Sequence, residues 1–232
     1  MEIKIFNKGL SPLVELSLAN GETAKIQRGS MAYMQNVKLH AKMNSNDHKG
    51  LGGLVRSVAR SKVTGESMII NEVKATGDNA LVGIAPNTIG AIEELTLAEG
   101  HQYRLNTGAF LAADENTGYE AIRQKGLSKA VFGKTGGFFI LHTKGTGKLL
   151  INGTGNIVKM ELTDENNFQI DNDNVLAWED SLDYKIESAS GSFGFMSGEG
   201  LVDSFYGHGV VYLQTSNLKE LARSVRQFLP AE

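Results

Sequence analysis

Gly133, Lys134 and Thr135 stand together as the end of a phosphate-binding loop would, with glycine backbone to cradle a phosphate and a lysine to neutralise it. That loop needs a further glycine where Ser128 stands, and a helix afterwards. Phe138, Phe139, Ile140 and Leu141 instead form an apolar run that predicts a strand, so Lys134 is assigned to a turn. Asp171, Asn172, Asp173 and Asn174 offer side-chain oxygens as the start of a calcium loop does. Val175 and Leu176 then occupy the places of the next polar ligand and the tight-turn glycine, so this segment reads as a polar bend between two strands.

The histidines are His40, His48, His101, His142 and His208. No two have the H-x-H or H-E-x-x-H spacing that puts both rings on one face, and the chain has no cysteine. No metal or other cofactor is expected. Ser30, Ser67, Ser197 and Ser204 lack the G-x-S-x-G context of a nucleophile elbow. The acid pairs Glu93–Glu94 and Glu179–Asp180 read as solvated surface charge. The most basic stretch, Arg56 to Lys62, reads as a connector helix, with anion, lipid or partner contact as the functional alternative. No catalytic, cofactor-binding or metal-binding residue is assigned, and the sequence does not point to an enzyme.

The elements that would position any of these groups are strands. The chain has 232 residues, 27 glycines and 3 prolines, with 41% hydrophobic and 21% charged residues, as expected for one sizeable β-rich domain with many tight turns. The formal net charge of -3 gives nucleic-acid binding no support. The absence of cysteine suits a reducing compartment. The start of the chain lacks a signal-peptide core, and no apolar run is long enough to span a membrane. A cytoplasmic protein without a transmembrane segment is expected.

Three segments align without gaps: Leu16 to Met31, Leu95 to Phe110 and Met160 to Val175. Each alternates apolar and polar residues, at Leu16 and Leu18, Leu95 and Leu97, or Met160 and Leu162. Each passes a polar turn at Asn20–Gly21, Glu99–Gly100 or Glu165–Asn166, then resumes at Ala24 and Ile26, Tyr103 and Leu105, or Phe168 and Ile170. The pattern predicts three β-hairpins with one face in the core. A glycine arm of strand, turn and strand also recurs, with Gly145 and Gly147 matching Gly207 and Gly209, and a looser copy beginning at Gly65. At least one glycine of each pair is expected at positive φ.

The expected architecture is all-β. Three pseudo-repeated hairpin and glycine-arm units are expected to form a β-barrel. The single domain, 1–232, divides at about 1–90, 91–152 and 153–217. Connectors at 44–64 and 117–135 are expected to hold short helices near 54–61 and 119–129. Leu218, Leu221, Ala222, Val225, Phe228 and Leu229 share one helical face, Asn217 with Glu220 fits a capping box, and Pro230 closes the stretch. An amphipathic helix over 218–229 follows, expected to dock its apolar stripe on its own β domain.

Several of these residues also carry a family resemblance. Gly29–Ser30–Met31, Gly65–Glu66–Ser67, the run from Gly198 to Val202 and the run from Phe205 to Thr215 resemble the "altered inheritance of mitochondria" protein family, which has many bacterial members. The resemblance covers nearly the whole chain. It implies a fold like the tryptophan RNA-binding attenuator protein, a short double-stranded β-helix-like domain as the alternative to the barrel, and a tendency to oligomerise. It supplies no catalytic residue.

The expected function is therefore a non-catalytic scaffold or interaction module acting as a homo-oligomer. The alternatives are a small-ligand binder or enzyme using a β-barrel pocket, and RNA binding by an oligomeric ring.

Overall fold

Alternation of apolar and polar residues makes strands along most of the chain, as the sequence predicts. The computed structural model describes residues 1–7, 9–43, 69–123, 139–189, 201–226 and 228. Strands numbered β1 to β17 in chain order form three antiparallel sheets. The first has the order β1 (Glu2–Phe6), β2 (Leu13–Leu18), β7 (Ala80–Ile84), β4 (Met31–Gln35). The second runs β5 (Val37–Met43), β6 (Ile69–Ala75), β3 (Thr23–Gln27), β10 (Phe110–Asp114), β13 (Gly147–Thr154), β8 (Gly90–Leu97). The third runs β11 (Gly118–Arg123), β12 (Phe139–Lys144), β9 (Tyr103–Asn106), β15 (Val175–Glu179), β17 (Leu201–Gln214), β14 (Ile157–Asp171), with β16 (Asp183–Ser188) beside β17. Each sheet has two ends, so the described strands do not close into the expected barrel.

Two of the three expected hairpins are corners. β2 pairs with β1 and β7, whereas β3 pairs with β6 and β10. β8 pairs with β13, whereas β9 pairs with β12 and β15. The third segment is one long strand, β14, whose ladder to β17 shifts register between Leu162, Glu165 and Phe168. The predicted faces are nevertheless the buried ones. Leu16, Leu18, Ala24 and Ile26 share one apolar cluster, and Leu95, Leu97, Tyr103 and Leu105 share a second. Leu162 and Ile170 share a third, with Phe168 against it. A strand buried on one face alternates in the same way whichever strand hydrogen-bonds to it, so the pattern fixes the face and not the partner.

Several ladders have matching registers. Tyr33 lies opposite Gly83, Ala112 opposite Leu150, and Ala177 opposite Tyr212. Each of these three ladders is bulged at the same place, between Met31 and Tyr33, Phe110 and Ala112, or Val175 and Ala177. Two further ladders join successive stretches of chain. β3 meets β10 with Ile26, Lys25 and Ala24 opposite Ala112, Ala113 and Asp114. β9 meets β15 with Leu105, Arg104 and Tyr103 opposite Ala177, Trp178 and Glu179.

β10, β13 and β15 are buried on both faces, which accounts for their continuous apolar runs. Leu111, Ala112 and Leu150 pack on the cluster of Leu16 and Ile26, while Phe110, Ala113, Leu149 and Ile151 pack on that of Leu95 and Leu105.

Gly118–Arg123 was expected to begin a connector helix. It is strand β11, paired residue by residue with β12 from Gly118 opposite Lys144 to Arg123 opposite Phe139. The ladder outweighs a weak local helical preference. The other expected connector helix, near 54–61, lies outside the described residues.

Both glycine pairs have positive φ: +91° at Gly145, +126° at Gly147, +96° at Gly207 and +159° at Gly209. Gly145 is the most constrained. A Cβ there would stand 2.2 Å from the Asn116 carbonyl oxygen, whereas at Gly100, with φ +74°, it would meet nothing within 4 Å. Gly145→Ala is expected to destabilise by about 2–3 kcal/mol, and Gly100→Ala by only about 1 kcal/mol, the cost of the left-handed backbone alone. Urea unfolding of both variants reads the difference, and equal losses would show that Asn116 yields freely.

Helix α1 spans Leu218–Arg226. Its capping residue is the predicted one: Asn217 Oδ1 accepts from the Glu220 N–H at 2.8 Å. The expected docking on the β domain is not made. None of the helical residues is buried, and Leu218, Leu221, Val225 and the following Phe228 are exposed. The helix is tied at its first turn by Lys219 Nζ to Asp173 Oδ1 at 2.6 Å. No described helix is long and apolar enough to cross a membrane.

Candidate functional site: an amide-lined cleft

A cleft of about 300 Å³ lies where the second and third stretches of chain meet the start of α1. Its walls include Asn106, the turn Thr107–Ala109, Asn152–Thr154, Asn172, Gln214 and Asn217. Most of these amides staple backbone. Asn152 lies in β13, and its Nδ2 donates to the Ala109 carbonyl at 3.1 Å. Its Oδ1 accepts from Thr88 Oγ1 at 3.3 Å. Gln214 accepts from the Thr154 N–H at 2.9 Å and donates to the Asp173 carbonyl at 2.6 Å. Asn106 Nδ2 donates to the Val175 carbonyl at 2.5 Å. Asn106 Oδ1 is buried without a partner among the described residues. An orphaned buried acceptor costs folding energy, and a ligand N–H or O–H could satisfy it.

Behind the cleft sits Asp203 on β17, with no solvent exposure. Burial pushes its pKa up to about 7, and the neighbouring charges of Asp171 and Asp173 push the same way. Asn172 Nδ2, 3.0 Å from each carboxylate oxygen, opposes the shift. Asn172 thus joins the predicted Asp171–Asn174 bend, a turn in the structure, to a buried acid that the motif reading did not single out.

The structure also gives two histidines carboxylate partners that lie far from them in sequence. His101 Nε2 lies 2.7 Å from the Tyr103 hydroxyl and 3.5 Å from Glu179. His142 Nε2 lies 3.3 Å from Asp180. The Glu179–Asp180 pair is therefore a half-exposed anchor for two rings rather than free surface charge. Burial, helped by Tyr212 and Glu179, raises the Tyr103 pKa well above the usual range, so its hydroxyl serves as a neutral hydrogen-bonding group and not as a nucleophile. Among the described residues no group of three or more His, Asp or Glu side chains could hold a metal ion.

The remaining sequence candidates stand apart. His40 lies on β5, Glu94 pairs with Lys148 at 2.9 Å, and His208 lies within β17. Ser30 Oγ donates to the Gln27 carbonyl, and Ser204 Oγ donates to Glu187 at 2.6 Å. His48, Ser67, Ser197, Arg56 to Lys62 and Gly133 to Thr135 lie outside the described residues.

Bent antiparallel sheets over three apolar clusters, with hydrogen-bonding amides gathered in a side cleft, define an all-β protein whose polar groups mostly tie chain to chain. The profile of the mitochondrial biogenesis AIM24 family matches residues 3–216, and the chain belongs to this family. It is 45% identical over 223 residues to an uncharacterized protein of Streptococcus pyogenes serotype M6, covering 94% of this chain and 87% of that protein. It also resembles a Streptococcus pyogenes protein solved by X-ray crystallography, with a TM-score of 0.80 and 40% identity over 98% of this chain and 99% of that one.

Proposed function

We propose that this chain is a non-catalytic interaction module that acts as a cytoplasmic homo-oligomer, built from three copies of one sheet-sharing unit at about 1–90, 91–152 and 153–217. The matching registers and the bulges at one aligned position support the threefold reading. The observation that carries the oligomer is where apolar surface is left in water. Met31, Tyr33 and Met34 on β4, and Leu218, Leu221, Val225 and Phe228 in or just after α1, are exposed. Apolar surface gathered in this way marks an interaction site more often than a solvated face.

Native mass spectrometry and light scattering of the full chain test this. Species at multiples of the 25.0 kDa chain are expected. A single 25.0 kDa species at every concentration would overturn the reading. A second reading, a small polar ligand in the cleft, is favoured by the orphaned Asn106 Oδ1, and the same native spectra would reveal it as a retained mass increment. The net charge of -3 gives RNA binding no support.

A further inference from the structure

We infer that β4 of one chain pairs antiparallel with the C-terminal part of β14 of a second copy, with Tyr33 opposite Ile170, Met34 opposite Gln169 and Gln35 opposite Phe168. This rests on the oligomer reading above and says which surfaces make the assembly.

The argument begins with the two joints inside the chain. In each, the strand after a corner pairs with a strand of the following stretch, in one register. Ile26 and Leu105 occupy the same aligned position, and so do their partners Ala112 and Ala177. Position 170 is the third member of the first set, and position 33 is the third member of the second. Neither is used in a joint: β4 pairs only with β7, and β14 only with β17, among the described residues. Among the described residues, two edges are therefore left open, and they are the two halves of the joint made twice internally.

Burial supports this. Met34 is 49% exposed, whereas its counterparts Ala113 and Trp178 are both 0% exposed. Tyr33 is 37% exposed, whereas Ala112 and Ala177 are also at 0%. On the other edge, Ile170 is 8% exposed, against 0% for Ile26 and 1% for Leu105. Two positions that are core in both internal joints are therefore left in water on β4, while Ile170 stays in the third core.

Packing agrees as well. The first core is covered by Leu111, Ala112 and Leu150 of the following stretch, and the second by Leu176, Ala177 and Tyr212. Among the described residues, no comparable stretch covers the third core, which holds Ile170, Trp178 and Phe205. The matching face of a second copy carries Tyr33 laid over Gly83. A Cβ at Gly83 would come within 2.2 Å of the Tyr33 ring, so the ring occupies space that Leu150 fills in the second stretch. Tyr33 also donates from its hydroxyl to Glu15 at 2.6 Å, which holds the ring on that face.

An unpaired edge is a template for another strand, and backbone pairing there supplies the association. Because the two edges differ, the contact is heterologous: each added copy presents the same open edge again, until a ring closes or a filament grows.

The test uses the cysteine-free full chain. Opposed residues of an antiparallel ladder have Cα atoms about 4.5–5.5 Å apart, within disulfide range. Met34→Cys with Gln169→Cys, oxidised, is expected to give covalent species of two or more chains that collapse to one on reduction. Gln35→Cys with Gln169→Cys puts the thiols on opposite faces and is expected to give at least tenfold less. Independently, Met34→Lys, at a position exposed within one chain, is expected to shift the light-scattering mass to a single chain without lowering its melting temperature. Oligomers that persist in Met34→Lys, with no cross-link in the first pair, would overturn this interface and leave the oligomer reading standing. A single chain mass with no cross-link would overturn both. A disulfide formed within one chain would show that the two edges meet in the same molecule, and the second-copy proposal would be wrong.

Discussion

Asp203→Asn is expected to be more stable than the parent at pH 8, by about 4 kcal/mol, with the difference closing as the pH falls to 4. The cause is the location of the carboxyl, at 0% exposure beside Asn172 and in the field of Asp171 and Asp173. Its folded pKa of about 7 stands above the ordinary 3.8, so the folded state holds the proton more tightly than the unfolded chain does. A group raised in this way contributes its full stability below about pH 4. The contribution declines as the pH rises and is gone above the folded value near 7. Other groups add slopes of their own, with Glu120 lowered by its bond to Lys144, for example. The measurement is therefore the variant minus the parent, by urea unfolding at several pH values. A difference that stays constant across pH would mean that Asp203 is ionised in the fold throughout. The cleft should respond too, because Asn172 belongs both to its wall and to this carboxylate.

Asp203 shows what kind of information the sequence carries. It lies two residues before Phe205, on the same face of a strand, and Phe205 is fully buried. Period-two alternation alone places the acid in the core, yet a search for motifs passes over it because no partner stands nearby in sequence. Asn152 follows Leu149, Leu150 and Ile151, and a polar residue at the end of so apolar a run is a comparable signal. The faces of β2, β3, β8 and β9 were legible for the same reason, and so was the Asn217 cap. Strand partners were not. The segment Leu16 to Ile26 reads identically as a hairpin or as a corner between two sheets, since both bury the same side chains. The segment 160–175 conceals more, because its polar middle at Glu165 is carried inside a continuous strand through shifts of register. Contacts such as His101 to Glu179 depend on the β9–β15 joint, which brings together positions far apart in the chain. Helix α1 was legible as a helix, but its environment was not: an apolar stripe states that something should cover it and does not say what.

Trp178→Ala is expected to cost about 4 kcal/mol, and Trp178→Phe less than about 1.5 kcal/mol. Trp178 is fully buried in the third core, edge-on to Phe205 at 5.6 Å and to Tyr184 at 4.9 Å. Alanine would remove most of this packing and leave a cavity bordered by Ile140, Val175 and Val211, whose backbones are held in ladders. Phenylalanine keeps one ring in the same stack. It also removes the indole Nε1–H, which is buried with no hydrogen-bond partner among the described residues. Loss of an unpaired buried donor offsets part of the lost apolar contact. Denaturant unfolding of the two variants separates the contributions. Equal losses would mean that the second ring or a partner for Nε1–H carries the stability. The position matters beyond its own core, because Trp178 lies opposite Arg104 in the β9–β15 joint and packs with Ile170, the residue placed at the joint between chains. Loosening this core should therefore weaken the β14 edge before it weakens the first two cores. In Trp178→Ala the light-scattering mass is expected to fall to a single chain at temperatures below the main melting transition.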